Sequence, residues 1–171
     1  RVTGMSGALD DIVVLDVTRG FASSMTAAFL GDFGARVIRL EPLGGASQRR
    51  GVDEDGARSG TWNHEADLIH RNKQSLALDA ATVRGRAVLD DLLARCDVVL
   101  TDWPLAELAA LGLDYAAACA RRPDIVVARL SGFGPKGKDC ELPAIDELAA
   151  ARTGMMPIVQ QPGEPPVYTG A

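Results

Sequence analysis

The chain has 171 residues, a formal net charge of −5, 47% hydrophobic residues and 24% charged residues. This composition suits one globular domain that is large enough to bury a core. The mild acidic excess offers no electrostatic surface for nucleic acid, and no apolar run is long enough to cross a bilayer. Three cysteines and two histidines show neither metal-ligand nor disulfide spacing, so we expect a cytoplasmic protein without a metal.

A strand–helix–strand unit is predicted at the start of the chain. Residues 12–17 (IVVLDV) and 36–41 (RVIRLE) are short runs rich in β-branched residues, which is typical of buried strands. Between them, Ser23 and Ser24 offer N-cap oxygens for a helix that Gly34 would end. A crossover of this kind predicts two parallel strands.

The same alternation continues along the chain. Residues 42–64 lose apolar periodicity and predict a long loop. Further strands are predicted at 75–79, 97–102 and 125–130, and further helices at 82–95, 104–112, 115–121 and 145–153. The Pro- and Gly-rich residues 157–171 are predicted to be extended. The order predicts an α/β fold with a mainly parallel sheet that helices cover on both faces.

The sequence lacks the common nucleotide-binding and serine-hydrolase motifs of α/β proteins. No GxGxxG sequence follows the first strand, and the chain contains neither a Walker A sequence nor a GxSxG elbow. Dinucleotide, nucleoside-triphosphate and serine-hydrolase functions are therefore disfavoured.

Several segments, taken together and in the same order, resemble the family III CoA-transferases, a group that includes formyl-CoA transferase, carnitine-CoA transferase and α-methylacyl-CoA racemase. They are 9–19 (LDDIVVLDVTR), 29–42 (FLGDFGARVIRLEP), 71–79 (RNKQSLALD), 96–113 (CDVVLTDWPLAELAALGL), 123–137 (PDIVVARLSGFGPKG), 143–156 (PAIDELAAARTGMM) and 165–171 (PPVYTGA). The resemblance implies a Rossmann-like large domain, of which residues 1–171 are the N-terminal part. The remainder of that domain and a smaller second domain would lie outside this chain. It also implies an interlocked dimer, made of identical or different subunits.

The resemblance also implies a reaction. Family members move CoA from an acyl-CoA to a carboxylic acid through an aspartyl intermediate, which is a form of covalent catalysis. The family's aspartate follows the last matched stretch, so we expect it just after Ala171 and assign no nucleophile within these residues. Residues 1–171 alone would then be inactive. Asp146 matches an aspartate that lines the family's active site, although a carboxylate in the first turn of a helix has a simpler explanation in the helix dipole.

The CoA-binding residues are likewise implied by the resemblance. The implied residues are Phe21, Ala22, Lys73, Asp102 and Trp103. Phe21 and Ala22 would lie beside the pantetheine arm, Lys73 would meet a phosphate, and Trp103 would lie near the adenine. Lys73 is equally well explained as a solvated surface lysine, and Trp103 as a strand-end side chain that packs on the core.

Departures from the family's pattern leave alternatives open. Positions where the family often has an arginine are Pro42, Pro104 and Ala110 here, and guanidinium groups suit the phosphates of CoA. A degenerate, non-catalytic subunit that supports an active partner is therefore the second hypothesis. An acyl-CoA racemase is the third, although Ile145 stands where that branch has a histidine. His70 is predicted to be a hydrogen-bonding loop residue. The sequence does not name the acyl group.

Overall fold

The computed structural model describes residues 7–52 and 58–156, together with residues 163, 165 and 167. The chain divides into two compact units, Arg1–Arg129 and Leu130–Ala171. Among the described helices, none combines the length and the apolar character that crossing a membrane requires. The extended tail predicted for residues 157–171 lies outside the described residues, apart from those three positions.

The first unit is built on a parallel sheet. Its five strands are β1 (Val13–Asp16), β2 (Arg36–Glu41), β5 (Lys73–Ala77), β6 (Val98–Thr101) and β7 (Val126–Arg129). They are ordered β5-β2-β1-β6-β7, and every neighbouring pair is parallel. The chain therefore moves outward from β1 to β2 and β5, and then crosses to β6 and β7 on the other side of β1.

Helices connect these strands. Those of the first unit are α1 (Phe21–Asp32), α2 (His64–His70), α3 (Val83–Leu93), α4 (Leu105–Ala110) and α5 (Tyr115–Arg121). The predicted α/β fold with a parallel sheet is confirmed. Outside residues 42–64, and apart from the start of α1, the predicted strands and helices of the described residues lie within about two residues of the observed ones.

One face of the sheet carries an apolar core. Leu15 of β1 and Val99 of β6 are opposite each other in register and are fully buried. They belong to one cluster with Leu89 and Leu93 of α3 and with Leu108 of α4. Each buried leucine contributes about 1.5–3 kcal/mol relative to an exposed one. This cluster fixes α3, α4 and α5 on that face.

The other face of the sheet carries charged side chains. Alternation along a strand turns Asp16, Arg39 and Glu41 away from the apolar core, yet all three are at most 2% exposed. Helix α1 covers this face, and its Ser24 carbonyl accepts a hydrogen bond from Lys73 at 2.7 Å. The second face therefore holds these buried charges beside apolar side chains such as Val14 and Val37, whereas the first face carries the apolar cluster.

Two local predictions are wrong. Residues 42–64 contain regular structure rather than one long loop: a 3-10 turn at Ser47–Arg49, a hairpin of β3 (Arg50–Val52) and β4 (Arg58–Trp62), and the start of α2. Helix α1 begins at Phe21 with Gly20 as its N-cap, so Ser23 and Ser24 lie inside its first turn and are not its caps.

The second unit contains one described helix, α6 (Asp146–Thr153). Ile145 is its N-cap, and Gly154 ends it with a φ of 74°, in the left-handed region where glycine is favoured. The prediction of a helix over 145–153 is confirmed.

Candidate functional site

The reversal of strand order at β1 creates a crevice at the carboxyl ends of the strands. In open parallel sheets, ligands bind in the crevice outside the point where the chain changes direction. A pocket of about 420 Å³ lies there in this chain. Its wall is mostly apolar and comes from the segments that follow β1, β2, β5 and β6, with these lining residues: Val17, Thr18, Arg19, Arg39, Leu40, Glu41, Pro42, Ala46, Ser47, Gln48, Leu78, Asp79, Ala80, Ala81, Trp103 and Leu111.

An aromatic platform stands at one side of this pocket. The guanidinium carbon of Arg19 lies 3.5 Å from the centroid of the Trp103 ring, which is close stacking. Nη1 of Arg19 also donates to Glu107 of α4 at 2.8 Å. The indole Nε1 of Trp103 is buried and has no hydrogen-bond acceptor among the described residues. Trp103 and Arg19 therefore form a stacked pair at the pocket wall, and the indole donor beneath it is not accessible to solvent.

Asp102 closes the amino end of α1. Its carboxylate accepts hydrogen bonds from the backbone N–H of Arg19 at 2.9 Å and of Gly20 at 2.6 Å, and from the hydroxyl of Ser23. An anion at this place is stabilised by the helix dipole. Asp102 thus supplies the cap that α1 lacks in its own sequence, and its negative charge occupies the place where a helix would otherwise attract a phosphate.

A network of buried charges lies beneath the pocket on the polar face of the sheet. Nζ of Lys73 donates to Oδ2 of Asp16 at 2.7 Å, and their side chains are 1% and 0% exposed. Arg39 lies 3.3 Å from both Asp16 and Glu41. Arg49 donates to both oxygens of Glu41, at 2.7 and 2.8 Å. Cations and carboxylates therefore alternate along one series of contacts: Lys73, Asp16, Arg39, Glu41 and Arg49.

Burial and pairing act on these groups in opposite directions. Burial lowers the pKa of Lys73, and the attraction of Asp16 only partly offsets it, so the pKa stays below its usual value. Burial raises the pKa of Glu41, but the hydrogen bonds from Arg49 and Ala46 outweigh it and hold that pKa below its usual value. Glu41 therefore remains ionised as the acceptor for Arg49.

His70, the last residue of α2, differs from its prediction as a hydrogen-bonding loop residue. Both of its ring nitrogens are buried without a partner among the described residues. Burial, assisted by the charges of Arg39 and Lys73, lowers the pKa of His70 to about 4. The imidazole is therefore neutral at pH 7. It borders a second cavity of about 210 Å³, together with Arg49, Arg71 and Lys73.

The structure brings most of the predicted CoA-binding residues together. Phe21 and Ala22 are exposed in the first turn of α1, directly after the segment that Asp102 caps, and Trp103 borders the pocket. Lys73 is neither solvated nor at this pocket, because its ammonium group is enclosed with Asp16. The contact of each of these residues with CoA stays a prediction.

Asp146 lies in the second unit. It is exposed at the first turn of α6, beside Glu147. This position suits the helix-dipole explanation for its carboxylate. Its proposed role as an active-site lining residue stays a prediction.

Sequence reasoning missed the buried charges and the partner of Trp103. The sequence did carry a signal for the buried charges. Strands of a parallel sheet are normally near-continuous hydrophobic runs, and Asp16, Arg39 and Glu41 interrupt two of these runs. No local signal joins Arg19 to Glu107, which are distant in sequence. Within the described residues, no group of three or more His, Cys, Asp or Glu residues could hold a metal ion.

The fold and the pocket together define a class of protein: a doubly wound α/β protein with a nucleotide-sized crevice at its switch point. Comparison with known proteins then identifies the family. The profile of CoA-transferase family III matches residues 9–171. This chain belongs to that family.

Three similar proteins illustrate the relationship. The cinnamoyl-CoA:phenyllactate CoA-transferase of Clostridium sporogenes is 31% identical over 157 residues, which are 91% of this chain and 38% of that protein. The succinyl-CoA–L-malate CoA-transferase alpha subunit of Chloroflexus aurantiacus is 31% identical over 165 residues, covering 95% of this chain and 38% of that protein. The solved structure of a CAIB/BAIF family protein from Brucella suis has a TM-score of 0.82 at 28% identity, covering 98% of this chain and 44% of the other. The chain thus spans well under half the length of these proteins.

Proposed function

We propose that residues 1–171 form the CoA-binding N-terminal part of an enzyme that transfers CoA between an acyl-CoA and a carboxylic acid. The observation that carries this proposal is the mostly apolar pocket of about 420 Å³ at the switch point of the sheet, with Trp103 at its side. Trp103 lines the pocket and the Arg19 guanidinium group covers one face of its ring, so an adenine ring would lie against this stack of indole and guanidinium.

The remainder of CoA fits the residues beside the pocket. The pantetheine arm would run past Phe21 and Ala22, where the first turn of α1 presents exposed apolar surface. The arm would extend away from the carboxylate of Asp102, which accepts a hydrogen bond from the backbone N–H of Gly20 at the start of α1. Lys73 would act from beneath the pocket, by holding the polar face of the sheet in place rather than by direct contact with phosphate.

The chemistry itself is assigned to residues beyond this chain. An aspartate a few residues after Ala171 would attack the thioester, and the acyl and CoA groups would exchange through acyl-aspartyl anhydride and aspartyl-CoA thioester intermediates. Asp146 would line the acyl site. The rest of the large domain and the small domain would complete the enzyme, as an interlocked dimer in the cytoplasm.

A non-catalytic subunit is the second candidate. One matched relative is named as an alpha subunit, and this chain has Pro42, Pro104 and Ala110 where arginines are common in the family. In that case the chain would bind CoA weakly or not at all and would support a catalytic partner. A racemase ranks below both, because Ile145 carries no exchangeable proton.

Calorimetric titration of the full natural chain with CoA and acetyl-CoA tests the proposal. We expect binding that a Trp103→Leu change weakens by about tenfold or more, since stacking of a base on an aromatic ring contributes about 1–3 kcal/mol. The matched control is Leu105→Ala, an exposed apolar residue of α4 that does not line the pocket. A folded full chain that binds neither ligand would favour the supporting subunit instead.

Mass spectrometry separates the enzyme from the subunit. After incubation with an acyl-CoA, a catalytic chain gains the mass of a covalently bound acyl or CoA group on its aspartate. A chain that binds CoA without this mass increase is not the transferase proposed here.

A further inference from the structure

Arg19 is an exposed cation in the wall of this pocket. The pocket wall contains two cations among the described residues, Arg19 and Arg39. Arg39 is committed inside the protein: its side chain is 3% exposed, and it contacts Asp16, the carbonyl of Thr18 and the amide of Gln48. Arg19 is 55% exposed, so its charge is available to solvent.

The described contacts of Arg19 hold its guanidinium group in one orientation but occupy only some of its hydrogen-bond donors. Stacking on Trp103 holds the group flat at the pocket wall. Among the described residues, Glu107 is its ion-pair partner, through Nη1 alone. A guanidinium group presents five donors in a planar fork that matches phosphate geometry. Its other donors have no partner within residues 7–52 and 58–156, so a ligand could accept hydrogen bonds from them.

Four of the described carboxylates lie near the pocket, and Asp102 among them is held by the backbone N–H groups of Arg19 and Gly20 at the amino end of α1. Glu41 is 1% exposed and is neutralised by Arg39 and Arg49. Asp79 accepts a backbone hydrogen bond from Ala81, which orients its oxygen. Glu107 is 47% exposed, and an exposed pair such as Arg19–Glu107 contributes only about 0–1 kcal/mol. A phosphate dianion would therefore have to compete mainly with Glu107 for the guanidinium group of Arg19.

We propose that Arg19 is the phosphate-recognising residue of this pocket and that it selects CoA over dephospho-CoA. This inference rests on the proposed CoA-binding function. The adenosine 3′-phosphate is the group next to the adenine, and it carries a charge of about −2 at neutral pH. With the adenine near Trp103, the stacked guanidinium group of Arg19 would be an exposed cation beside that phosphate. Arg19 would thus replace the arginines absent at positions 42, 104 and 110.

The test is calorimetric titration of the full chain with CoA and with dephospho-CoA, using wild type, Arg19→Gln, Arg19→Lys and Glu107→Gln. We expect wild type to prefer CoA, and Arg19→Gln to lose about tenfold or more in CoA affinity with little change for dephospho-CoA. Arg19→Lys restores part of the preference, because it keeps the charge without the fork. Glu107→Gln strengthens CoA binding because it releases Arg19.

Arg95→Gln and Asp91→Asn are the matched controls. Asp91 of α3 and Arg95, two residues after the end of that helix, form an exposed ion pair at 2.8 Å, and neither residue lines the pocket. Circular dichroism checks the fold of each variant. Unchanged CoA affinity in Arg19→Gln, or an equal loss for both ligands, would overturn the role of Arg19 while leaving the CoA site intact. A wild-type chain that binds neither ligand would instead overturn the proposed function.

Discussion

The buried pair of Lys73 and Asp16 gives a stability prediction whose size follows from its burial. The two side chains are 1% and 0% exposed and 2.7 Å apart. Lys73→Met keeps most of the apolar stem and removes the charge, which leaves Asp16 without its closest cation. Breaking a buried pair costs about 3–5 kcal/mol. Arg39 remains 3.3 Å from Asp16, and the donors of Thr18 also remain, so we expect the lower end, about 3 kcal/mol.

Urea unfolding followed by circular dichroism measures this loss on the full chain at pH 7. If the unit that contains the sheet unfolds in one step, a loss of about 3 kcal/mol lowers its urea midpoint by about 1–3 M. The matched control is Arg95→Met, which breaks a pair whose side chains are 74% and 59% exposed. We expect that change to cost less than about 0.5 kcal/mol.

A double variant tests whether the loss belongs to the pair. Removing both charges with Lys73→Met and Asp16→Asn leaves no uncompensated carboxylate, so the double variant should cost less than the two single variants added together. If Lys73→Met is as mild as Arg95→Met, or if the two changes simply add, then burial does not set the strength of this pair and the reasoning is wrong.

Three further predictions concern other parts of the first unit. The pKa of His70 is about 4 in the folded chain against an ordinary 6.5, so the unfolded chain takes up this proton first. The free energy of unfolding should fall as the pH drops from 6.5 towards 4, by about 1.4 kcal/mol per pH unit at most. A His70→Leu variant should lose less over the same pH range, as measured by urea unfolding at each pH. Asp102→Ala should lower the free energy of unfolding by about 1–2 kcal/mol through loss of the α1 cap, with a smaller loss for Asp102→Asn in thermal melts. Gly85→Ala should destabilise α3 by about 1–3 kcal/mol despite the better helix propensity of alanine, because the added Cβ would overlap the carbonyl oxygen of Asp79; equal or higher stability in urea would contradict that overlap.

Most of the sheet could be predicted because its strands carry a strong local signal. The predicted strand at 36–41 and helix at 115–121 coincide with the observed elements. Helix α2 was missed because it has only seven residues, and its buried contacts come from Ala66 and Ile69 alone. Two buried positions are too few to establish a helical period.

The site was only partly predictable, because its contacts join distant parts of the chain. The capping of α1 by Asp102 links residues 82 positions apart, and Ser23 and Ser24 offered a local alternative that proved wrong. The Arg19–Glu107 pair spans 88 positions. The resemblance to the family gave the position of Trp103, but the arginine on its face depends on how β1 and β6 lie side by side.

The contrast between the two faces of the sheet has a consequence for how sequences of this kind diverge. On the apolar face, replacing Leu15 or Val99 by another aliphatic residue costs about 1 kcal/mol of folding stability, and each replacement can occur alone. On the charged face, each carboxylate and cation constrains its neighbour, so Asp16 and Lys73 must change together or stay. Related sequences should therefore vary independently on one side of the sheet and in correlated pairs on the other.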